Sequence, residues 1–198
     1  PGLFYFPPAS SSSEAPREAL HAAAAHAAAP SPVKHATHLP DALTPAEASL
    51  LAAEASAALS TRKYDANHFD AVIVAFREAQ LGLPRWSPAA RAVLQRLMGL
   101  VDAAVGDGIK RRPVEWMPPH VIDLAPRTGR IDAHVDSVKH GGDVVACVSL
   151  LSQRRLVLTE PERKDKVVFE MDLPPGSMYV LSGYARYELA HAISSGPE

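Results

Sequence analysis

The sequence predicts an α+β chain that is mainly β, with helices first and an antiparallel body of jelly-roll type after them. Two observations predict this. Two segments in the first half carry helix start signals, "TPAE" and "WSPAA". From about Pro119 onward, short runs rich in Val, Ile, Leu and aromatic residues follow one another, separated by Gly, Pro or charge. Strands at that spacing read as a sandwich or barrel.

Residues 1 to about 42 are set apart by composition. They carry a serine run (Ser10 to Ser13), many prolines and the stretch "EALHAAAAHAAAP". Little there is large enough to bury, so the segment reads as a disordered or targeting-type tail. It is poor in acids, as a mitochondrial leader is, and also poor in arginine, as such leaders are not. Its histidines His21, His26, His35 and His38 are irregularly spaced and have no cysteine among them, which argues against a metal tract.

Order is expected from about residue 43, giving one domain over 43–198. Thr44 reads as an N-cap, Pro45 as the first helical residue and Glu47 as the partner closing a capping box, for a helix reaching about Leu59. "FDAVIVAFRE" is rich in β-branched and aromatic residues and reads as a strand. Ser87 and Pro88 repeat the start signal. Val93, Leu97, Leu100 and Ala104 then form an apolar stripe on the second helix. The β body comprises "HVIDLA", "IDAHVDSV", "DVVACVSLLS", "RRLVLTE", "KVVFEMDL" and "SMYVLSG".

Composition excludes several classes. A net charge of −2 over 198 residues is not the basic footprint of a duplex-binding protein. The clusters Lys110 to Arg112 and Arg163 to Lys166 read as solvated surface. With one cysteine, Cys147, no intramolecular disulfide can form, and a cytosolic, nuclear or matrix setting fits better than secretion. Cys147 lies in an apolar run and reads as a small core residue. No apolar stretch approaches the roughly 18 residues of a membrane span.

His134 and Asp136 stand two apart in a run that reads as a strand, where such side chains share a face. They could present an imidazole nitrogen and a carboxylate oxygen to one cation. His191, 57 residues downstream, is a third candidate ligand. Two imidazoles and one carboxylate on one face of an iron leave positions open for further ligands, as in the facial triad of non-haem Fe(II) oxygenases. His-x-Asp alone is weak evidence, equally suited to an exposed strand face. A second pair, His68 and Asp70, could recruit His120 instead.

The stretches "RKYDANHFDAVIVAFRE", "RWSPAARAVLQRL", "HVIDLAPRTGRIDAHVDSVKHGGDVVACVSLLS" and "PPGSMYVLSGYARYELAHAI" carry a resemblance. From about residue 42 to 193 the chain resembles the AlkB-like dioxygenases, and within them a mitochondrial branch. The resemblance implies a double-stranded β-helix core flanked by N-terminal helices, with Fe(II) and 2-oxoglutarate as cofactors and dioxygen as co-substrate. It implies that His134, Asp136 and His191 are the metal ligands and that Tyr179 contacts 2-oxoglutarate. It also implies an arginine beyond the last histidine, on a final core strand. The chain ends at Glu198 without them, and Arg186 lies upstream and does not match. The expectation is therefore a domain lacking its last core strand.

Three functions stay open at this point. One is an AlkB-type oxidative hydroxylase or demethylase of the mitochondrial matrix, tied by resemblance to fatty-acid metabolism and programmed necrotic cell death. Its substrate could be a protein, a lipid-related molecule or mitochondrial RNA. The others are a catalytically impaired interaction module and a metal hydrolase using zinc at the same ligands. Trp86 and Trp116 read as core residues rather than base-stacking ones, against strong duplex binding.

Overall fold

The computed structural model describes residues 2–5, 33–105, 116–137 and 142–196. Eleven strands and three helices run in the order β1 (Gly2–Tyr5), β2 (Ala36–Leu39), α1 (Pro45–Leu59), β3 (Asp65–Asn67), β4 (Ile73–Gln80), α2 (Pro88–Val105), β5 (His120–Leu124), β6 (Arg130–His134), β7 (Val144–Ser149), β8 (Arg154–Glu160), β9 (Arg163–Leu173), β10 (Met178–Ser182), α3 (Gly183–Tyr187) and β11 (Ala190–Ile193).

Both long helices start where the sequence places them. The Thr44 Oγ1 accepts from the Glu47 amide, and the Glu47 carboxylate accepts in return from the Thr44 amide, which completes the capping box. The Ser87 Oγ accepts from the Ala90 amide and donates to Glu54 of α1 at 2.6 Å, so one hydroxyl starts α2 and ties it to α1. Trp86 is buried with its Nε1 donating to the Leu81 carbonyl. Trp116 packs against the same helical core, as expected of both tryptophans. Among the described residues no helix is long and apolar enough to cross a membrane.

The strands form one hydrogen-bonded path, β2-β10-β7-β1-β5-β4-β6-β11-β8-β9, with β3 added beside β4. Alternation along the central strands explains their continuous apolar runs. In β7, Val144, Ala146 and Val148 face the helices, whereas Val145 and Cys147 face a second core. In β10, Met178 and Val180 take the helical side, with Tyr179 and Leu181 on the other. The second core also receives Leu156 and Leu158 of β8 and Met171 and Leu173 of β9, from the far end of the path. The sheet must therefore curl until its two ends face each other, which is the jelly-roll arrangement.

The structure differs from the sequence reading in three places. Residues 33–42 of the expected tail are built into the body. Ala36 to Leu39 pair with Leu181 to Met178, and Ala36 and Leu39 are buried in the two cores. Gly2 to Tyr5 pair with β5 and β7. The reading of residues 6–32, with His21 and His26, lies outside the described residues. The strand expected over 69–78 begins at Ile73, because His68 to Ala71 form a turn closed by the Ala71 amide on the His68 carbonyl. Finally, β6 stops at His134, so Asp136 lies just past a strand end rather than within a strand.

Candidate metal centre

Antiparallel pairing builds most of the site. β11 lies between β6 and β8, and its register sets His191 directly opposite His134. Cross-strand partners share a face, so both rings project to one side, with centroids 4.3 Å apart. Asp136 reaches the pair from beyond β6. Its Oδ1 is 3.1 Å from His134 Nε2 and its Oδ2 is 3.7 Å from His191 Nε2. One donor atom from each residue falls within 4.8 Å of the others, and among the described residues no other group of three His, Cys, Asp or Glu does so.

The donor set fits a divalent transition metal. His134 Nδ1 is 2.9 Å from the Asp132 carbonyl, to which it donates. That bond leaves Nε2 as the nitrogen available to an ion, the outer-shell arrangement usual for a metal-binding histidine. Three donors from one side leave the opposite side for small ligands.

Charge is unevenly distributed. For Asp136, burial works to raise the pKa, but the hydrogen bond from His134 and the charges of His191, His134 and Arg186 hold it down at about 2. For His191, burial dominates, aided by the charges of His134 and Arg186, and brings the imidazole down to about 4. Burial also acts to lower His134. The hydrogen bond and charge of Asp136, with the Asp132 carbonyl, outweigh it, and its pKa is raised. Near neutrality Asp136 is an anion and His191 is neutral, and His134 holds its proton to higher pH than an ordinary imidazole.

The alternative trio is differently arranged. His68 Nδ1 is bound to Asp70 at 2.8 Å, while His120 Nε2 lies 2.8 Å from Glu78 Oε2. Glu78, which the sequence reading did not single out, joins them, with His68 Nε2 3.9 Å from its Oε1. The carboxylates already engage these imidazoles. Tyr179 is buried in the second core and lies across the ladder from His38, one of the histidines assigned to the tail in the sequence reading. The His38 Nε2 is buried with no hydrogen-bond partner among the described residues.

No family model matches the chain. Over 154 residues, however, it is 39% identical to the alpha-ketoglutarate-dependent dioxygenase alkB homolog 7, mitochondrial, of Bos taurus, an alignment covering 78% of this chain and 65% of that one. Over most of its length the chain is thus similar to AlkB-like dioxygenases. The mouse (Mus musculus) protein of the same name is 39% identical over 156 residues, again 78% of this chain and 65% of that one. The match thus spans just under two thirds of the length of these relatives. Among solved structures, OsALKBH1 superposes with a TM-score of 0.57 at 17% identity, covering 82% of this chain and 86% of that one. A Pseudomonas putida prolyl-4-hydroxylase superposes at 0.52 and 14% identity, covering 89% of each. Those two likenesses bear on the fold alone, and they agree with the jelly roll described above. For the family, the expected cofactors are Fe(II) and 2-oxoglutarate.

Proposed function

We propose that this chain carries the metal centre of an Fe(II)- and 2-oxoglutarate-dependent dioxygenase that hydroxylates or demethylates its substrate by oxidation. The observation that carries the reading is the convergence of His134, Asp136 and His191 on one point, in a chain 39% identical to alpha-ketoglutarate-dependent dioxygenases.

In this reading His134 and His191 bind Fe(II) through Nε2 and Asp136 binds through a carboxylate oxygen. The bound iron with 2-oxoglutarate supplies the activation of dioxygen for attack on a C–H bond. The chain's own residues do the rest. Asp132 fixes the His134 tautomer. His134 gives up its proton to admit the ion. Leu158, buried beside His191 in the ladder, keeps water from that side. Tyr179 is assigned to 2-oxoglutarate, on the strength of the resemblance and of its burial on the inner face of β10.

Mitochondria are the proposed location, supported by the names of both relatives; the matrix is the proposed compartment. The family resemblance supports a place in fatty-acid metabolism and programmed necrotic cell death, with a protein, a lipid-related molecule or mitochondrial RNA as substrate.

The test is anaerobic addition of Fe(II) and 2-oxoglutarate, followed by air. A weak visible charge-transfer band and then succinate are expected, and both should vanish in His134→Ala, which retains its fold. Neither band nor succinate from the wild-type protein would end the proposal. Zinc in the isolated protein with oxygen-independent hydrolysis would replace it.

A further inference from the structure

Two ligands of the proposed centre sit on paired strands, and the third does not. β6 ends at His134, and Asp136 lies two residues beyond it, outside the ladder. A metal site needs its donors held to within a fraction of an ångström, and no strand ladder does this for Asp136.

The support comes from Arg186. Its side chain is fully buried. Nη1 donates to the Asp136 carbonyl at 2.9 Å and Nη2 to the Ser137 carbonyl at 3.4 Å, so one planar fork grips two successive peptide units. Its Nε is buried without a partner among the described residues, and no carboxylate there forms an ion pair with it. A buried guanidinium is expensive to keep, and here its charge also acts on the Asp136 carboxylate. The two-carbonyl fork is what an arginine supplies here and a lysine, which carries the same charge, cannot.

The arginine is in turn held in place. It is delivered by α3, and the first turn of α3 is pinned by His35, which precedes β2, the strand paired with β10. The Tyr184 amide donates to His35 Nδ1 at 3.0 Å, and the Ser182 amide donates to the His35 carbonyl. Gly183 makes this possible. It adopts φ +43°, and a Cβ there would meet His35 Nδ1 at 2.4 Å. Tyr187 lies beneath the guanidinium, its ring centroid 5.2 Å away.

We propose that Arg186 is a positioning residue of the metal centre, fixing the backbone of Asp136, the one ligand that no strand holds. The inference rests on the reading of His134, Asp136 and His191 as metal ligands.

The test compares Arg186→Lys and Arg186→Gln with the wild-type chain by two readouts. One is amide hydrogen exchange of the segment following His134, in metal-free protein. The other is Co(II) affinity with the intensity of the Co(II) visible bands. Arg186→Gln is expected to speed exchange in that segment and to weaken Co(II) binding at least tenfold. Arg186→Lys should lie between, because an ammonium keeps the charge but cannot span two carbonyls. A purely structural role would lower the melting temperature and leave the folded variant's Co(II) affinity and band shape unchanged. Should Arg186→Gln not fold, Arg186→Lys decides alone. Wild-type exchange and wild-type Co(II) binding in folded Arg186→Lys would overturn the inference. Failure of the wild-type protein to bind Co(II) would instead remove the metal reading beneath it, whatever the exchange shows.

Discussion

Protons and metal compete for the same three side chains, and the structure sets how many protons must leave. Between about pH 5 and 6.5, Asp136 (about 2) and His191 (about 4) are already deprotonated. His134, raised above 6.5, is still protonated. Admitting a divalent ion therefore displaces one proton, from His134 alone. Affinity should rise about tenfold per pH unit across that window, roughly 30-fold in all or about 2 kcal/mol, and level off above the His134 pKa. Two unperturbed histidines would give a slope of two. Calorimetric titration with Mn(II), in buffers of differing ionisation enthalpy, counts the protons directly. A slope of two would mean that burial does not hold His191 neutral. A slope of zero would mean that His134 is not a ligand.

Two predictions concern the scaffold. Thr44→Ala removes one half of the capping box and should lower stability by about 1 kcal/mol in urea, while Mn(II) affinity stays as in the wild type. The contact with His120 holds the Glu78 carboxyl below its ordinary 4.5, against burial and with help from the charge of His68. Its contribution is therefore present above pH 4.5 and lost as the pH falls through the lower folded-state value. Glu78→Gln should flatten that acid limb in fluorescence-monitored unfolding between about pH 3 and 5; an unchanged limb would remove Glu78 as its source.

What was legible in the sequence is what is local. Thr44 with Glu47, and Ser87 with the turn that follows it, are contacts within one helical turn, so the letters alone place both helix starts. β7 and β10 were legible because burial on both faces leaves an almost continuous apolar run, broken only by Ser149 and Ser182 at their ends. By contrast β3, "DAN", is exposed throughout and is a strand only because β4 pairs with it. β2, "ATHL", has no apolar pattern of its own and is ordered by β10. The short helix "GYARY" follows β10 without a break in composition, and its start depends on His35, about 150 residues away. For the site, residue types named the three candidate ligands, but only the register sets His191 opposite His134. No pattern marks Arg186, because its partners are main-chain carbonyls, which every residue possesses.

That register also explains why two histidines facing each other behave oppositely. β11 is flanked by β6 on one side and β8 on the other. His191 therefore has His134 as one neighbour and Leu158 as the other, and beyond Leu158 the ladder continues to Phe169 of β9. Its surroundings offer burial and the like charges of His134 and Arg186, against the charge of Asp136 alone. His134 occupies the polar end of the same row. It touches Asp136 and the Asp132 carbonyl, and β4 runs alongside with Ile73 opposite Ile131, a register that carries the turn bearing Asp70 towards it. Desolvation acts on both rings, but only His134 has anionic partners enough to overcome it. A dication arriving here meets one neutral donor, one anion and one displaceable proton. Exchanging Leu158 for a carboxylate would narrow that difference, since His191 would then have a second anion besides Asp136, 3.7 Å away.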